Sequence, residues 1–324
     1  MVLGFIRYED GLTATLETAE ALETALDQEY KTVWVDLRAP SEEELVAVAG
    51  LFNLDPEAIE DCMSDEVHPR LDEFDTYLFL LLYGAIGEEE KVIYAPRVLA
   101  VFMGERFIVT VHKERLRSIH TMKERCRKHP DHILDRGTDF FLFTLIDMVV
   151  DNYGLVVDLL EEELDALEDA SFDPVSHTEL LGGLSAMKKK ALHLRRILAS
   201  QRELIEPLAR GEFDYISPGL EVRFRHVRDH LTLTLDLIEN LRDMLNEVRN
   251  NYNAVLSNRM NNIMKTLTLF SAVLMPMGVI VGLYGMNVPL WPNPDNPATF
   301  WGLIGFMVLV AGGLFTFFYS RRWL

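Results

Sequence analysis

The chain has 324 residues, of which 49% are hydrophobic, and it carries a formal net charge of −20. A chain of this length can bury a substantial core, in one large domain or in two. The acidic balance argues against a nucleic-acid partner, because phosphate contacts need a concentrated basic surface, and it is compatible with a domain that meets multivalent cations.

The first 117 residues have the pattern of a mixed α/β domain. They contain three strand-like runs, at residues 32–38, 76–86 and 97–112. The last run predicts a hairpin that turns at Gly104. Between the first two runs, Ser41 and Glu44 have the spacing of a capping box, which predicts a helix that reaches about Phe52. A short helix is predicted after it, with Pro56 at its first position.

The next segment, residues 118–217, is predicted to form an acidic helical hairpin. Its two helices correspond to residues 138–172 and 175–208. The chain is expected to turn between them near Asp173-Pro174. Residues 158–173 contain eight acidic side chains and no basic one, whereas the second helix carries a cluster of five basic residues. A solvated helix pair and an ion-sensing surface are both compatible with this segregation.

One long helix is predicted from Pro218 to Asn287, and two repeats with spacings of three and four run along it. The apolar repeat, which predicts packing against other helices, consists of Phe224, Val227, Leu231, Leu235, Ile238, Leu241, Leu245, Val248, Tyr252 and Val255. The polar stripe consists of Asp236, Asn240, Asp243, Glu247, Asn250, Ala254, Ser257, Asn261, Met264, Thr268, Ser271, Met275, Gly278, Gly282 and Gly285.

Two runs, Leu267–Met286 and Ala298–Tyr319, contain no charged residue and are each long enough to cross a hydrocarbon core of roughly 30 Å. A pair of buried core helices is the alternative. Basic residues precede the first run and follow the second, while residues 288–297 between them have none. With no signal-peptide pattern at the start of the sequence, this asymmetry predicts an inner-membrane protein whose two termini are cytoplasmic.

The polar stripe continues into the first of these runs, where a helix facing lipid has no use for it. Polar groups at membrane depth normally face protein or a water-filled path. The stripe therefore favours a narrow wet axis lined by identical helices, which requires a symmetric homo-oligomer. Close packing of small residues at Gly278 and Gly282 is a competing explanation for the glycines.

Several other kinds of site are not indicated. The two cysteines, Cys62 and Cys126, are far apart in a segment assigned to a reducing compartment, so we expect no structural disulfide. There is no CxxC zinc motif, no phosphate-binding loop, no HExxH motif and no nucleophile–base pattern. The chain is therefore not expected to be an enzyme, although a membrane-anchored enzyme or sensor is a third hypothesis.

The stretch "MPMGVIVGLYGMN", followed by a short loop and a second span that ends in "YSRRWL", resembles the CorA family of divalent-cation channels. The resemblance implies a funnel-shaped homopentamer in a lipid bilayer. It also covers the layout of the chain: a cytoplasmic α/β domain (1–117), an acidic helical hairpin (118–217), a stalk helix that becomes the pore-lining span (218–287), an outer loop (288–297), a second span (298–320) and a basic cytoplasmic tail (321–324).

The resemblance assigns roles to particular residues of the first span. The selectivity filter would consist of Tyr284, Gly285, Met286 and Asn287, with Asn287 forming the outer ring that meets the ion. Inner pore positions fall on Asn261, Met264, Leu267, Met275 and Gly278. All of these except Leu267 belong to the polar stripe, which adds Thr268, Ser271 and Gly282 as pore-lining residues.

The resemblance also implies a function and a means of regulation. The family imports Mg²⁺, with Co²⁺ or Ni²⁺ also admitted, down the membrane potential, and intracellular metal closes the pore. The sensing acid of the family falls on Asp61, next to Glu60. Its partner position holds His226 instead of an aspartate, and an imidazole suits Zn²⁺, Co²⁺ or Ni²⁺ better than Mg²⁺. A zinc transporter of the ZntB type, with or without proton coupling, is therefore the alternative.

Overall fold

The computed structural model describes residues 2–64, 68–88, 91–171, 177–286, 291–292 and 297–321. The chain forms two compact units, Met1–Val248 and Arg249–Leu324. The first unit holds a β-sheet with helices on both of its faces, together with the helical hairpin. The second holds the remainder of the long helix and the last helix.

One mixed sheet organises the first unit. Its strands are β1 (Val2–Tyr8), β2 (Thr13–Leu16), β3 (Tyr30–Arg38), β4 (Arg70–Glu73), β5 (Tyr77–Glu88), β6 (Lys91–Gly104) and β7 (Phe107–His112). Their order is β2-β1-β3-β7-β6-β5-β4. Strands β3 and β7 are parallel neighbours, and the other pairs are antiparallel. The predicted α/β class is confirmed.

The three predicted strand regions correspond to β3, β5 and the β6–β7 hairpin. The hairpin turns after Gly104, as predicted, and a side chain at that position would collide with the ring of Phe107. Strands β1, β2 and β4 and helix α1 (Ala19–Leu26) were not predicted. Two of these strands are only four residues long, too short to show a clear alternation of apolar and polar residues.

Helices α1, α2 (Glu42–Phe52) and α3 (Pro56–Met63) cover one face of the sheet. The predicted capping box of α2 is present, with Ser41 and Glu44 exchanging side-chain and backbone hydrogen bonds. Helix α2 ends at Asn53, whose left-handed conformation (φ 51°) is tolerated by asparagine. Helix α3 begins with Pro56, as predicted. This layer places the segment that carries Glu60 and Asp61 beside the sheet.

Helices α4 (Arg117–Lys128) and α6 (Thr138–Ser171) pack on the opposite face, and α5 (Pro130–Ile133) connects them. The ring of Trp34 lies 4.9 Å from that of Phe141 on α6. Beside Trp34, the carboxylate of Asp36 is fully buried. It accepts a hydrogen bond from the hydroxyl of Thr110 at 2.6 Å and lies 3.1 Å from Nε2 of His112.

The ammonium group of Lys123 on α4 completes this cluster, 2.5 Å from Oδ2 of Asp36. Burial alone would raise the pKa of Asp36, but its contacts with His112 and Lys123 lower the pKa below the usual value. The carboxylate is thus kept ionised inside the protein and links the central strands to α4.

The helical hairpin consists of α6 and α7 (His177–Arg210). The two helices are antiparallel, because Tyr153 donates a hydrogen bond to Gln201 at 2.9 Å, whereas Glu163, ten residues later, pairs with Lys190 at 2.7 Å. The pairing of Glu163 with Lys190 connects the acidic and basic segments. The predicted turn at Asp173-Pro174 lies outside the described residues.

The long helix, α8, extends from Pro218 to Tyr284 without interruption, and α9 comprises Pro297–Ser320. Helix α8 thus begins where the sequence predicted. Its 67 residues include Pro276, which lacks the N–H that would bond to the carbonyl of residue 272. A proline of this kind is tolerated in membrane helices, because neighbouring groups can satisfy the carbonyl that it leaves without a partner.

The buried carboxylate gives a stability prediction. Asp36→Ala removes one partner of a buried charge cluster, so we expect the free energy of unfolding to fall by about 3–5 kcal/mol. Because the folded-state pKa of Asp36 lies below its ordinary value, its contribution is present above about pH 4 and is lost as the pH falls through the folded pKa. Asp36→Ala should therefore flatten the acid limb of the stability profile.

Chemical unfolding of the full chain in detergent, followed by circular dichroism between pH 3 and 7, measures both effects. The matched control is Asp165→Ala, which removes an exposed carboxylate on α6. Equal unfolding midpoints for the two variants at pH 7 would contradict the stabilising role of Asp36.

Candidate functional site

Helix α8 buries one face and exposes the other. In the first unit, the apolar repeat is buried at Phe224, Val227, Leu231, Ile238, Leu241, Leu245 and Val248. The ring of Phe224 packs edge-on against Phe143 of α6 at 5.7 Å, and Glu239 forms an ion pair with Arg195 of α7. The predicted packing is confirmed for these residues, which fixes the side of α8 that is turned away from the hairpin in the first unit, whereas Val255, the last member of the predicted repeat, is 41% exposed.

The polar stripe occupies the exposed side. In the first unit Asp236, Asn240, Asp243 and Glu247 are all exposed. In the second unit the exposed members are Asn250, Ala254, Ser257, Asn261, Met264, Thr268, Ser271, Met275, Gly278, Gly282 and Gly285. Leu267, which the resemblance adds to the pore, is also exposed. Every residue predicted to line a pore is therefore available to face another copy of the chain.

The stripe stays on one side of α8 within the second unit. Spacings of three and four residues average close to one helical turn, so the stripe drifts by only about 20° per heptad on a straight helix. Three heptads separate Asn261 from Gly282, which corresponds to a drift of about 60°. One face thus presents in succession an amide, a thioether, two hydroxyls, a second thioether and two glycines.

The hydroxyl of Thr268 has a defined orientation within this face. It donates a hydrogen bond to the carbonyl oxygen of Met264, one turn earlier, at 2.7 Å. Because the proton is used in this bond, the oxygen lone pairs remain as acceptors. Thr268 can therefore present an oxygen to a hydrated cation, whose bound waters act as hydrogen-bond donors.

From Leu267 onward, the remaining surface of α8 is largely apolar, and so is that of α9. Phe270 and Leu274 of α8 are each more than 60% exposed, and no described residue of α9 is buried. Three helices of the described chain are long and apolar enough to cross a membrane, but the most apolar window of α6 is 72% buried in the protein, whereas those of α8 and α9 are 0% buried. Unlike α6, the apolar parts of α8 and α9 are left for lipid or for other subunits.

The predicted selectivity filter follows the end of α8. Tyr284 is the last helical residue, and the N–H of Gly285 still bonds to the carbonyl of Val281 at 2.9 Å. Met286 N–H bonds to the carbonyl of Leu283 at 3.2 Å, which tightens the last turn. Asn287, the predicted outer ring, lies outside the described residues.

The predicted sensing acids lie on α3 in the first unit. Asp61, in the last turn of α3, forms an ion pair with Arg70 of β4, and Arg70 also pairs with Asp72 at 2.7 Å. Glu60 is exposed next to Asp61, and His226 is exposed on α8. Among the described residues, no group of three or more histidine, cysteine, aspartate or glutamate side chains is arranged to hold a metal ion within one chain.

Sequence reasoning missed Arg70 as a partner of Asp61. The signal was available in part, because residues two apart on a strand point to the same side, and "RLD" places Arg70 and Asp72 together. Nothing in the sequence indicated in the same way that Arg70 also pairs with Asp61. The consequence is electrostatic: a divalent ion that binds Asp61 has to compete with a guanidinium group.

Residues 29–322 match the model of a protein family described as CorA-like Mg²⁺ transporter protein. The chain belongs to this CorA family. It is 30% identical to the Bacillus subtilis protein YfjQ over 90% of this chain and 89% of that protein. It is 23% identical to the cobalt/magnesium transport protein CorA of Thermotoga maritima over 90% of this chain and 83% of that protein.

The fold is likewise that of CorA. The complete structure of the CorA magnesium transporter from Methanocaldococcus jannaschii matches 100% of this chain and 99% of its own length, with a TM-score of 0.84 and 20% identity. The prediction of the family is confirmed. CorA members are metal-cation transporters, which also agrees with the prediction that the chain is not an enzyme.

The two native cysteines allow a test of the polar stripe. Burial raises the pKa of Cys62 and of Cys126 to about 12, so neither thiol should react in aqueous buffer near pH 8. Ser271→Cys places a single reactive thiol on the stripe, and Val273→Cys places one about 200° around the helix. We expect Ser271→Cys to react at least tenfold faster with a charged methanethiosulfonate reagent.

Labelling rates measured by mass spectrometry on the full chain in proteoliposomes provide the comparison. The wild-type chain controls for reaction at Cys62 and Cys126. Similar rates for the two variants would mean that the stripe does not face water.

Proposed function

We propose that the protein is a homopentameric channel that imports Mg²⁺, and also Co²⁺ or Ni²⁺, with the polar stripe of α8 lining the path. The observation that carries the proposal is that the stripe is exposed from Asn261 to Gly285 and that, from Leu267 onward, the other residues of this segment are uncharged and largely apolar. Five copies arranged around an axis would turn these stripes toward one another and the apolar surfaces toward the lipid bilayer.

The side chains of the stripe suit a hydrated divalent ion. Mg²⁺ gives up its waters reluctantly, so a pore that conducts it can contact those waters instead of the bare ion. Neutral oxygens of Asn261, Thr268, Ser271 and the filter residue Asn287 can accept hydrogen bonds from the waters. They bind the ion less tightly than carboxylates would, and conduction requires that the ion can leave.

The methionines of the stripe provide the narrow points. Met264 and Met275 are apolar and exposed on the same face, and rings of such side chains can close a path by excluding water. The membrane potential drives import with roughly 2.3 kcal/mol per charge per 100 mV, and with about twice that for a divalent ion. In the proposed topology α8 and α9 span the inner membrane and both termini are cytoplasmic.

Zinc transport is the second candidate, and His226 is the observation that favours it. An imidazole at this position suits Zn²⁺ better than Mg²⁺. The side chain is exposed on α8, so it is accessible to an ion or to another subunit. In this candidate Zn²⁺ is carried inward together with protons.

Ion flux into proteoliposomes tests the two candidates. We expect Mg²⁺ uptake that follows an imposed inside-negative potential, with uptake of Co²⁺ or Ni²⁺ as well. Asn287→Ala should abolish most of this flux, because the outer amide ring is lost. The matched control is Asn262→Ala, which removes an amide about 100° from the stripe residue Asn261 and should retain flux.

Three results would count against the proposal. Uptake of Zn²⁺ that tracks a proton gradient, without uptake of Mg²⁺, would favour the second candidate. Full activity of Asn287→Ala would remove the filter role from Asn287. Flux by a protein that is not pentameric in native mass spectrometry would contradict the assembly.

Regulation is proposed to act through Asp61, with Glu60 and His226 contributing to a site between subunits. When intracellular Mg²⁺ is plentiful, the ion would displace Arg70 from Asp61 and hold neighbouring subunits in the closed state. When Mg²⁺ is scarce, the guanidinium would neutralise the carboxylate. The competition between Arg70 and the ion would thus set the concentration at which the channel closes.

This competition makes opposite predictions for two substitutions. Asp61→Ala should leave flux less sensitive to internal Mg²⁺, because the sensing carboxylate is lost. Arg70→Gln should lower the internal Mg²⁺ concentration that gives half-inhibition, by about threefold or more, because the competing charge is removed. Flux at several internal Mg²⁺ concentrations measures both, with Arg97→Gln as a control that removes a guanidinium paired with Glu114. Unchanged inhibition in both variants would exclude Asp61 as the sensor.

A further inference from the structure

A groove in the first unit is lined by α2 and α3, and none of the described residues that line it belongs to the polar stripe. Its volume is about 750 Å³, within the range of roughly 300–1,000 Å³ that is typical of small-molecule sites. The lining is mostly apolar and includes the buried Leu45 and Leu54. Val46 and Met63 also line it, although they are 59% and 42% exposed. Single exposed apolar side chains are common, but several that share one recess indicate a binding surface.

The sequence of α2 keeps this groove open. Glu42, Val46 and Gly50 are spaced by four residues, so they lie along the same side of the helix. Gly50 adds no side chain, and apart from its chain neighbours and the backbone of α2, a Cβ atom there would meet no described atom within 4 Å. Asn53 then ends α2, and Asp55 caps the start of α3. The two helices thus follow each other closely in the chain and leave the space between them unfilled.

The charged groups of the groove are all of one sign. Among the described residues that line it, only Glu42 on α2 and Glu60 on α3 are charged. Neither carboxylate has an ion-pair partner in the described part of the chain. Residues 41–64, which include both helices, contain seven acidic residues and no lysine, arginine or histidine. The groove therefore combines an apolar lining with one carboxylate from each helix.

Two cations approach the end of α3 without lining the groove. Arg70 pairs with Asp61, and Lys113 donates a hydrogen bond to the carbonyl oxygen of Met63 at 2.9 Å. Both of these contacts are made to groups other than the two carboxylates of the groove. Glu42 and Glu60 are thus available to a cationic ligand.

The lining limits the chemistry of such a ligand. Two carboxylates repel an anion, and a bare metal ion would gain nothing from the apolar side chains. The two helices have 11 and 8 residues, which corresponds to lengths of roughly 17 and 12 Å, so the groove suits a small molecule better than a long partner helix. Methylene groups would be removed from water against the apolar lining, and ammonium groups would form charge-assisted hydrogen bonds with the carboxylates.

We propose that this groove binds an aliphatic diamine or polyamine, whose methylene chain contacts the apolar lining and whose ammonium groups pair with Glu42 and Glu60. One carboxylate on each helix matches a ligand that carries a charge near each end. Alkyl amines are protonated at neutral pH, as the lysine side chain is. Glu60 lies next to the proposed sensing acid Asp61, but binding to the groove is measured without ion flux. The failure of either proposal therefore leaves the other intact.

Isothermal titration of the full chain in phosphatidylcholine nanodiscs, after removal of divalent ions with EDTA and with empty nanodiscs as the blank, tests the site with three probes. Octanediamine has both a long methylene chain and two charges. Propanediamine keeps the charges with a short chain, and octanediol keeps the chain without charges. We expect saturable binding of octanediamine, and dissociation constants about tenfold higher or more for the other two probes.

Two pairs of variants locate the binding to the groove. Gly50→Leu should abolish saturable binding because the new side chain fills the groove, whereas Ala47→Leu, on an exposed part of α2 outside the lining, should leave the dissociation constant within about twofold of wild type. Glu42→Gln should raise the dissociation constant about fivefold or more, and Glu43→Gln, which removes the neighbouring exposed charge, should not. Thermal unfolding without ligand checks that all four variants are folded.

A second copy of the chain is the competing occupant of the groove. Val46→Cys places a reactive thiol there, since the native Cys62 and Cys126 are buried. We expect a maleimide to label this variant in nanodiscs, and octanediamine to slow the labelling. A thiol protected without ligand would mean that another subunit covers the groove, which would overturn the proposal. So would labelling that saturating octanediamine leaves unchanged, the absence of saturable binding to the wild-type chain, or equal affinities for octanediamine and propanediamine.

Discussion

The proposed function depends on one constraint: no residue in the apolar window of α8 is buried within the described chain, yet this window carries polar groups along one side. Apolar surface of this extent is unfavourable in water, and polar groups are unfavourable in lipid. Both requirements are met when copies of the helix surround an axis, with stripes inward and the remaining surface outward. Membership of the CorA family fits this solution, because the members of that family are membrane transporters.

Much of the fold could be predicted because local patterns agreed with tertiary structure. The capping box at Ser41 and Glu44 fixed the start of α2 through hydrogen bonds between neighbours. The long helix could be predicted because its apolar repeat persists over many turns. Strands β1 and β2 could not be predicted, since β1 gains its place from pairing with β3, a long-range contact that leaves little trace in the sequence.

In the candidate site, too, periodic features could be predicted from the sequence and long-range contacts could not. The stripe could be predicted from the sequence because it is periodic, and in the first unit its exposure follows from the buried repeat on the other face of α8. The pairing of Asp61 with Arg70 depends on how α3 lies against β4, and no periodicity encodes it. The cluster at Asp36 is a further example. In the sequence, a carboxylate within a strand only interrupts the apolar pattern. Its partners Thr110, His112 and Lys123 are distant in the chain and are identified only by the structure.

The polar stripe ends in three glycines, Gly278, Gly282 and Gly285, whose surroundings differ. Apart from its chain neighbours and the backbone of its own helix, a Cβ atom at Gly278 or Gly282 would meet no atom of the described residues within 4 Å, so no described contact within one subunit requires either glycine. Their conformation is helical, which glycine disfavours relative to alanine by roughly 1 kcal/mol. The proposed position of both glycines between subunits would explain their small size, either through close approach of neighbouring helices or through the width of the path. Gly285 differs, because its Cβ would lie 3.1 Å from the carbonyl oxygen of Val281. Gly285, which belongs to the predicted filter, is therefore constrained by the backbone of its own helix, whereas Gly278 and Gly282 are not.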